Sequence, residues 1–91
     1  MDKASRQKKL DLLMQDWVIE DGRLKLSIEL DDFMTAVDTI NEIAEIAEEY
    51  NHHPNLAIRD YSILDIELFT HSENELTDLD FEVAKTIDLI F

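Results

Sequence analysis

The sequence contains no cysteine, and only one glycine and one proline among 91 residues. Without cysteine, a disulfide-stapled secreted domain is excluded. The scarcity of glycine and proline beside 45% hydrophobic residues is typical of an ordered globular chain. No apolar run approaches the length of a membrane span, and the charged N-terminus lacks the apolar region of a signal peptide. We therefore expect a single cytoplasmic domain over residues 1–91, with an N-terminal helix at 1–14 and a core at 17–91.

Basic residues are also scarce, since 8 lysines and arginines stand against 22 aspartates and glutamates, for a net charge of −14. Residues 1–9 hold four of the basic residues and one acid, which gives +3 there and −17 over the remainder. An acidic body repels the phosphates of DNA and RNA, which argues against direct nucleic-acid binding. The few apolar residues beside the basic ones argue against membrane binding. We interpret the acidic excess as a solvated surface rather than as a docking face.

The first third of the chain predicts a helix followed by a hairpin. Residues 4–14 carry their basic residues toward the start, which opposes the helix dipole and predicts a frayed front end. Residues 17–20 and 24–30 have strand composition, and the second segment alternates strictly between apolar and polar side chains. Asp21 and Gly22 lie between them, and this pair favours a two-residue turn because glycine supplies the positive φ.

A long amphipathic helix follows, capped by Asp31 or Asp32 and ending near Asn51. Ile43 and Ile46 widen its apolar surface, which indicates either a broad core face or a contact with another subunit. The stripe that we expect to cover the sheet recurs at spacings of three and four residues and comprises Phe33, Ala36, Val37, Ile40, Ala44, Ala47 and Tyr50.

The last third of the chain predicts further strands and one helix. Residues 58–70 form either a second strand pair or one long strand, with the aliphatic side chains from Leu64 to Leu68 on one face. Thr77 caps a final helix, and Asp80 is in position for a capping box. The buried side of that helix is expected to comprise Val83, Ala84, Ile87, Ile90 and Phe91.

The order of these elements, α-β-β-α-β-β-α, predicts an α+β fold. About four antiparallel strands would form one small sheet, with the helices packed on one face. A sheet with so few strands leaves open edges that invite pairing with another copy. We therefore expect a homo-oligomer.

The three histidines are the candidate chemical groups. His52 and His53 stand where the long helix stops, just before Pro54, and His71 follows the last strand. Imidazoles titrate near neutral pH, which allows acid and base chemistry at one spot. Because Pro54 disfavours a helical conformation for His53, we expect the two adjacent rings to diverge. Two other interpretations stay open. In the first, His52 and His53 are an ordinary pair at a helix end, where the helix dipole favours the imidazolium form. In the second, the histidines bind zinc, although they lack the usual ligand spacing.

Several short motifs occur in an order that matches a known family. Trp17, the Asp32-Phe33 helix start and Tyr61 accompany three longer motifs, which are Asn51-His52-His53-Pro54, Thr70-His71 and Leu76-Thr77-Asp78-Leu79-Asp80. With this combination, which spans most of the chain, the sequence resembles the pterin-4a-carbinolamine dehydratase family. The resemblance implies a small enzyme without metal or cofactor that is a homodimer or a homotetramer. Such an enzyme removes water from 4a-hydroxytetrahydropterin to give the quinonoid dihydropterin during tetrahydrobiopterin recycling.

By the same resemblance, the catalytic residues are His52, His53, His71 and Asp80. His52 and His71 would form the acid–base pair, and His53 would mainly contact the substrate. Expelling the hydroxyl group of a carbinolamine needs a proton on the departing oxygen and loss of a proton from the ring nitrogen, which imidazoles can supply and accept. Asp80 would keep one histidine protonated as the acid. We then expect the three imidazoles to converge on one cleft.

The chain departs from the family pattern at a few positions. Leu56 stands where the family usually has an aromatic residue, and Glu75 stands where a glycine is common. One residue is also added between Pro54 and Tyr61. Because the spacing from Tyr61 to His71 is unchanged, we expect the addition to lie in a loop rather than inside a strand.

A second function is compatible with the same resemblance. A few animal members of the family also act as dimerisation partners of a homeodomain transcription factor through their helices. By analogy, this chain is alternatively a non-catalytic protein-binding module on the same fold. Ile43 and Ile46 would then contact the partner, and the histidine corner would be vestigial.

Overall fold

The computed structural model describes all 91 residues, and its strands form one antiparallel sheet in the order β1-β2-β4-β3. The elements are α1 (Lys3–Asp11), β1 (Val18–Glu20), β2 (Arg23–Glu29), α2 (Phe33–Tyr50), β3 (Asn55–Arg59), β4 (Ile63–Leu68) and α3 (Asp78–Asp88). The predicted α+β class and element order are confirmed, and the second strand pair is the correct one of the two alternatives. None of the helices has the length and apolar character needed to cross a membrane.

Two tight turns close the hairpins. Asp21 and Gly22 have φ of 53° and 72°, which confirms the predicted two-residue turn between β1 and β2. The connection from β3 to β4 has three residues, 60–62, of which Asp60 and Tyr61 have φ of 49° and 53°. In the Asp21-Gly22 turn, positive φ at both central residues gives a twist that matches the strands, so this hairpin closes without splaying.

The β3 strand begins at Asn55, three residues before the predicted start of strand structure at 58. Its ladder with β4 is unbroken from Asn55 opposite Glu67 to Arg59 opposite Ile63. The prediction was wrong because the extended conformation imposed at Pro54 leads directly into pairing with β4.

The two faces of the sheet differ as the alternation predicts. On the inner face, Leu26 of β2 lies opposite Ile66 of β4, and both side chains are buried. On the outer face, Lys25 lies opposite Glu67 and Ser27 lies opposite Asp65. The buried sheet residues that pack beneath the helices are Leu24, Leu26, Leu64, Ile66 and Leu68.

The face that α2 turns toward the sheet matches the predicted stripe only in part, since Ala36 and Ala47 are buried and Ile40 and Tyr50 pack against the core. Phe33 is 50% exposed and Ala44 is exposed, whereas Ile43 is fully buried and Ile46 is nearly so. The helix carries two adjacent apolar stripes, and packing selects the one with the branched aliphatic side chains. The buried residues of α2 are Ala36, Thr39, Ile43, Ile46 and Ala47. Ile43 and Ile46 are therefore core residues, so the broad core face is the correct one of the two alternatives and the contact with another subunit through them is wrong.

The first helix is capped at its front end rather than frayed. The Asp2 side chain accepts a hydrogen bond of 2.8 Å from the backbone N–H of Ser5. Lys8 and Lys9 lie in the last turn of α1, where positive charge stabilises a helix. The predicted fraying was wrong because the cap and these two lysines offset the unfavourable charges of the first turn.

The chain leaves α1 at Asp11, earlier than the predicted end at Met14. The Met14 N–H and the Trp17 Nε1–H each donate a hydrogen bond of 2.7 Å to the buried carboxylate of Asp88. This tertiary anchor replaces a further helical turn. At the other end of the chain, α3 stops at Asp88, so Phe91 is 36% exposed and the prediction that it is buried was wrong.

Candidate active site

The corner at the end of α2 is built by a left-handed residue. Asn51 has φ 49° and ψ 45°, which confirms it as the C-terminal cap, and the His52 N–H donates to the Ala47 carbonyl at 3.0 Å. The chain then turns through His53 and Pro54 into β3. The two histidine rings diverge as predicted, since the His52 side chain is 11% exposed and the His53 side chain is 59% exposed.

The inward histidine meets the acidic residue of α3. His52 Nε2 and Asp80 Oδ1 are 2.6 Å apart, and the Asp80 side chain is fully buried. A buried carboxylate is stable only when its oxygens are hydrogen-bonded. The structure therefore brings two of the sequence-predicted site residues into direct contact.

The second oxygen of Asp80 is held by two threonines. Asp80 Oδ2 accepts a hydrogen bond of 2.7 Å from Thr70 Oγ1 and one of 3.0 Å from the Thr77 backbone N–H. The hydroxyl oxygens of Thr70 and Thr77 are 2.8 Å apart. A backbone bridge between Thr70 and Glu75 closes the intervening loop, which brings the end of β4 against the start of α3. Asp80 thus satisfies one half of the predicted capping box.

These hydrogen bonds determine where the protons lie. Asp80 Oδ2 accepts from both threonines, so the proton shared between Asp80 and His52 lies in the contact at Oδ1. In the ionised form that an aspartate ordinarily has near neutral pH, Asp80 can only accept there, which places the proton on His52 Nε2. The Nδ1 atom of His52 is then the ring nitrogen available to a ligand, as a lone pair in the neutral ring or as a donor in the imidazolium.

The outward histidine has a different partner. His53 Nε2 makes a short hydrogen bond with the carboxylate of Glu48, one turn back along α2. Both side chains are largely exposed, so the bond is solvated and contributes little to stability. Glu48 was not predicted as part of this corner, although its position five residues before His53 at a helix end is visible in the sequence.

The third histidine lies on the exposed side of the loop after β4. The His71 ring packs edge-on against Phe69, with ring centroids 5.1 Å apart, and the guanidinium of Arg23 lies 4.5 Å from the Phe69 centroid on the outer face of the sheet. His71 makes no hydrogen bond or ion pair with His52, His53 or Asp80. It adjoins them only through its neighbour Thr70, which binds Asp80.

The role of Thr70 was missed, although the sequence carried a signal for it. Leu64, Ile66 and Leu68 alternate on the buried face of β4, and the same period places Thr70 on that face. A buried hydroxyl needs a hydrogen-bond partner, and here the partner is Asp80. The alternation thus indicates a polar contact at the end of the strand.

The surroundings of the corner contain neither a metal cluster nor a deep hollow. No group of three histidine, cysteine or acidic side chains is arranged to hold a metal ion. Five surface hollows have volumes of about 280 to 510 Å³, and no histidine lines any of them. One of about 490 Å³ opens beside Thr77 and Asp78, and one of about 350 Å³ lies on the outer face of the sheet. These five hollows do not contain His52, His53 or His71, and the convergence of the three imidazoles on one cleft stays a prediction.

A family model and several relatives match this sequence over most of its length. A family model for pterin 4 alpha carbinolamine dehydratase matches residues 1–90. A relative from Herpetosiphon aurantiacus is 40% identical over 98% of this chain and 91% of its own length, and one from Sulfolobus acidocaldarius is 38% identical over 85% and 84%. Both carry the provisional name pterin-4-alpha-carbinolamine dehydratase.

Solved structures agree on the fold. A transcriptional coactivator/pterin dehydratase from Brucella melitensis superposes with a TM-score of 0.89 at 30% identity, over 99% of this chain and 96% of its own. A pterin dehydratase-like protein described as a RuBisCO assembly factor of the alpha-carboxysome has a TM-score of 0.64 at 14% identity, over 84% and 87% of the two chains, and shares the fold alone. The chain belongs to the pterin 4 alpha carbinolamine dehydratase family.

Proposed function

We propose that the protein is a pterin-4a-carbinolamine dehydratase, which removes water from a 4a-hydroxytetrahydropterin and releases the quinonoid dihydropterin. The observation that carries the proposal is the buried hydrogen bond of 2.6 Å between His52 and Asp80. It holds one imidazole in a fixed orientation through a buried carboxylate. Family membership supplies the substrate class, and the arrangement of side chains supports the reaction type.

The reaction needs two proton transfers and no redox step. The bond between the carbinolamine carbon and its hydroxyl oxygen breaks, and a proton delivered to that oxygen lets it leave as water. The ring nitrogen on the same carbon loses its proton and forms the new carbon–nitrogen double bond. Imidazoles suit both transfers at neutral pH because either protonation state is accessible.

We assign His52 and His71 to the acid–base pair and His53 to substrate contact. His52 works through Nδ1, because Nε2 is occupied by Asp80. With its Nε2–H on Asp80, a protonated His52 ring would present its Nδ1–H to the departing hydroxyl group. The His71 ring is exposed on the Phe69 edge, where it can accept the proton of the ring nitrogen. The exposed His53 ring is free to pack against the pterin once its contact with Glu48 opens.

A dehydration assay tests this proposal. The decay of a chemically generated 4a-hydroxytetrahydropterin is followed by absorbance with the parent protein and with the variants His52→Ala and His71→Ala. Each substitution should lower the enzyme rate at least about tenfold, the usual contribution of a general acid or base. Leu89→Ala, at an exposed residue beyond the end of α3, is the control that should keep the parent rate. A parent protein that does not exceed the buffer rate would refute the proposal.

We also propose that the protein is a homo-oligomer, a dimer or a tetramer, and that it is cytoplasmic. The support for oligomers is the second apolar stripe of α2, where Phe33 is 50% and Met34 is 62% exposed and Val37 is half-buried. Large side chains in a continuous exposed stripe indicate an interface. Light scattering of Phe33→Glu should give a smaller particle than the parent, whereas Leu89→Glu should not. A monomeric parent would contradict this proposal.

The alternative of a non-catalytic binding module is not supported by the packing of α2. Ile43 and Ile46, the residues proposed to meet a partner, lie in the hydrophobic core beneath the helix. The pairing of His52 with Asp80 also gives the histidine corner an ordered network, which a vestigial site would not need.

A further inference from the structure

From the hydrogen bonds around Asp80, we infer that Thr70 is a positioning residue, oriented in turn by Thr77, that holds the Asp80 carboxylate in the rotation needed to fix His52. The inference rests on the proposed function only for its effect on turnover. Its structural content, the orientation of His52 by a threonine two contacts away, stands on the geometry alone.

The direction of each hydrogen bond follows from the number of protons available. A threonine hydroxyl has one proton, and the ionised Asp80 carboxylate can only accept, so Thr70 donates its proton to Asp80 Oδ2. The contact of 2.8 Å between the two hydroxyl groups then requires Thr77 to donate to Thr70. The Thr77 hydroxyl group therefore fixes the direction of the Thr70 O–H bond, and the Thr70 hydroxyl group fixes the rotation of the Asp80 carboxylate.

The carboxylate needs this support because its other oxygen, Oδ1, is the one that binds and orients His52. The terminal torsion of an aspartate is broad, so a single contact at Oδ1 does not fix the plane of the carboxylate. Two donors on Oδ2, the Thr70 hydroxyl and the Thr77 N–H, define that plane. With the plane fixed, Oδ1 points at His52 Nε2, which leaves Nδ1 as the ring nitrogen that Asp80 does not bind.

Both threonines lie in the loop region that follows the third histidine. Thr70 directly precedes His71, and the Thr70–Glu75 bridge holds the loop that contains His71. The same threonine thus couples the ordering of the His71 loop to the orientation of His52. A threonine that only held the loop would not bind the carboxylate that contacts the His52 ring.

The test uses nitrogen and proton NMR of His52, which needs no substrate. In the parent protein, above the titration of the ring, His52 should be the tautomer with the proton on Nε2, and that proton should exchange slowly with water. Thr70→Val should speed this exchange at least about tenfold, since it removes the donor while keeping the volume. Thr70→Ser should restore slow exchange because serine keeps the hydroxyl group.

Two further variants make the result specific. Thr77→Val leaves its N–H on Asp80 but removes the hydroxyl that orients Thr70, so its effect should be in the same direction and smaller. Thr39→Val removes a buried hydroxyl that binds the Thr35 carbonyl within α2, so it should leave the His52 signals unchanged. An effect of Thr39→Val equal to that of Thr70→Val would overturn the inference.

Turnover provides the second measurement. In an active parent, Thr70→Val should lower kcat about tenfold with KM within about twofold, and Thr70→Ser should recover most of the loss. An inactive parent whose His52 exchange still responds to Thr70→Val would refute the dehydratase proposal and support the positioning role. A parent with the His52 proton on Nδ1, or unchanged exchange in Thr70→Val, would overturn the positioning role whatever the activity.

Discussion

Asp80 and Asp88 lie at opposite ends of α3, both carboxylates are buried, and each binds an aromatic ring from a distant part of the chain. Asp80 binds the imidazole of His52, and Asp88 binds the indole N–H of Trp17. The first pair adjoins the histidine corner and the second anchors the segment after α1. One helix thus carries a carboxylate to which we propose a chemical role, Asp80, and one that anchors a distant segment, Asp88.

This contrast gives a matched pair of variants. Asp80→Asn replaces an acceptor oxygen by a donor in front of His52 or Thr70, so dehydration should fall at least about tenfold. Asp88→Asn places an amide donor against the N–H of Trp17 or Met14, so the free energy of unfolding should fall by about 1–3 kcal/mol while folded protein keeps its activity. Urea unfolding and the dehydration assay measure the two effects. Equal loss of activity in both variants would contradict this division.

Neighbouring residues of α2 test which stripe of the helix faces the core. Ile43→Ala removes a fully buried side chain and should lower the free energy of unfolding by about 2–5 kcal/mol. Ala44→Ser changes the exposed neighbour and should alter it by less than about 0.5 kcal/mol. Chemical denaturation of both variants at equal protein concentration gives the comparison. A larger cost for Ala44→Ser would restore the stripe predicted from periodicity.

The outer face of the sheet should stabilise the protein less in acid. Hydrogen bonds from Arg59, and then from Ser27, hold the pKa of Asp65 below its ordinary value. Because the folded pKa is lower than the unfolded one, this contribution is present above the unfolded pKa and is lost as the pH falls through the folded pKa. Asp65→Asn should therefore flatten the decline of unfolding free energy between about pH 5 and pH 2.

The expected size of the acid effect is small because these groups are solvated. The difference between parent and Asp65→Asn should be on the order of 0.5 kcal/mol. Glu42→Gln, an exposed carboxylate of α2, serves as the control and should leave the slope unchanged. Parallel curves for the parent and Asp65→Asn would show that the Arg59 and Ser27 contacts are not maintained in solution.

Local chemistry explains what the sequence predicted well. Asp21-Gly22 selects a turn by its own backbone preference, Asp32 caps α2 through a contact to Thr35, and Asn51 closes the helix in the left-handed region. Each of these signals involves residues within a few positions of one another. The alternation along β2 and β4 is equally local, and it gave the correct inner face.

Contacts between distant residues explain what the sequence did not predict. The end of α1 depends on Asp88, which is 74 residues from Met14. The choice between the two stripes of α2 depends on how the helix settles on the whole sheet. In the site, the resemblance named His52 and Asp80, but only the fold shows that they touch and that His71 packs on Phe69.

A crystal structure with a bound pterin would show whether His52 lies against the reacting part of the ring. We expect the pterin in the histidine corner, with a polar atom of the ring within about 3 Å of His52 Nδ1 and with His71 at its other side. A pterin bound elsewhere, such as in the hollow of about 350 Å³ on the outer face of the sheet, would contradict it.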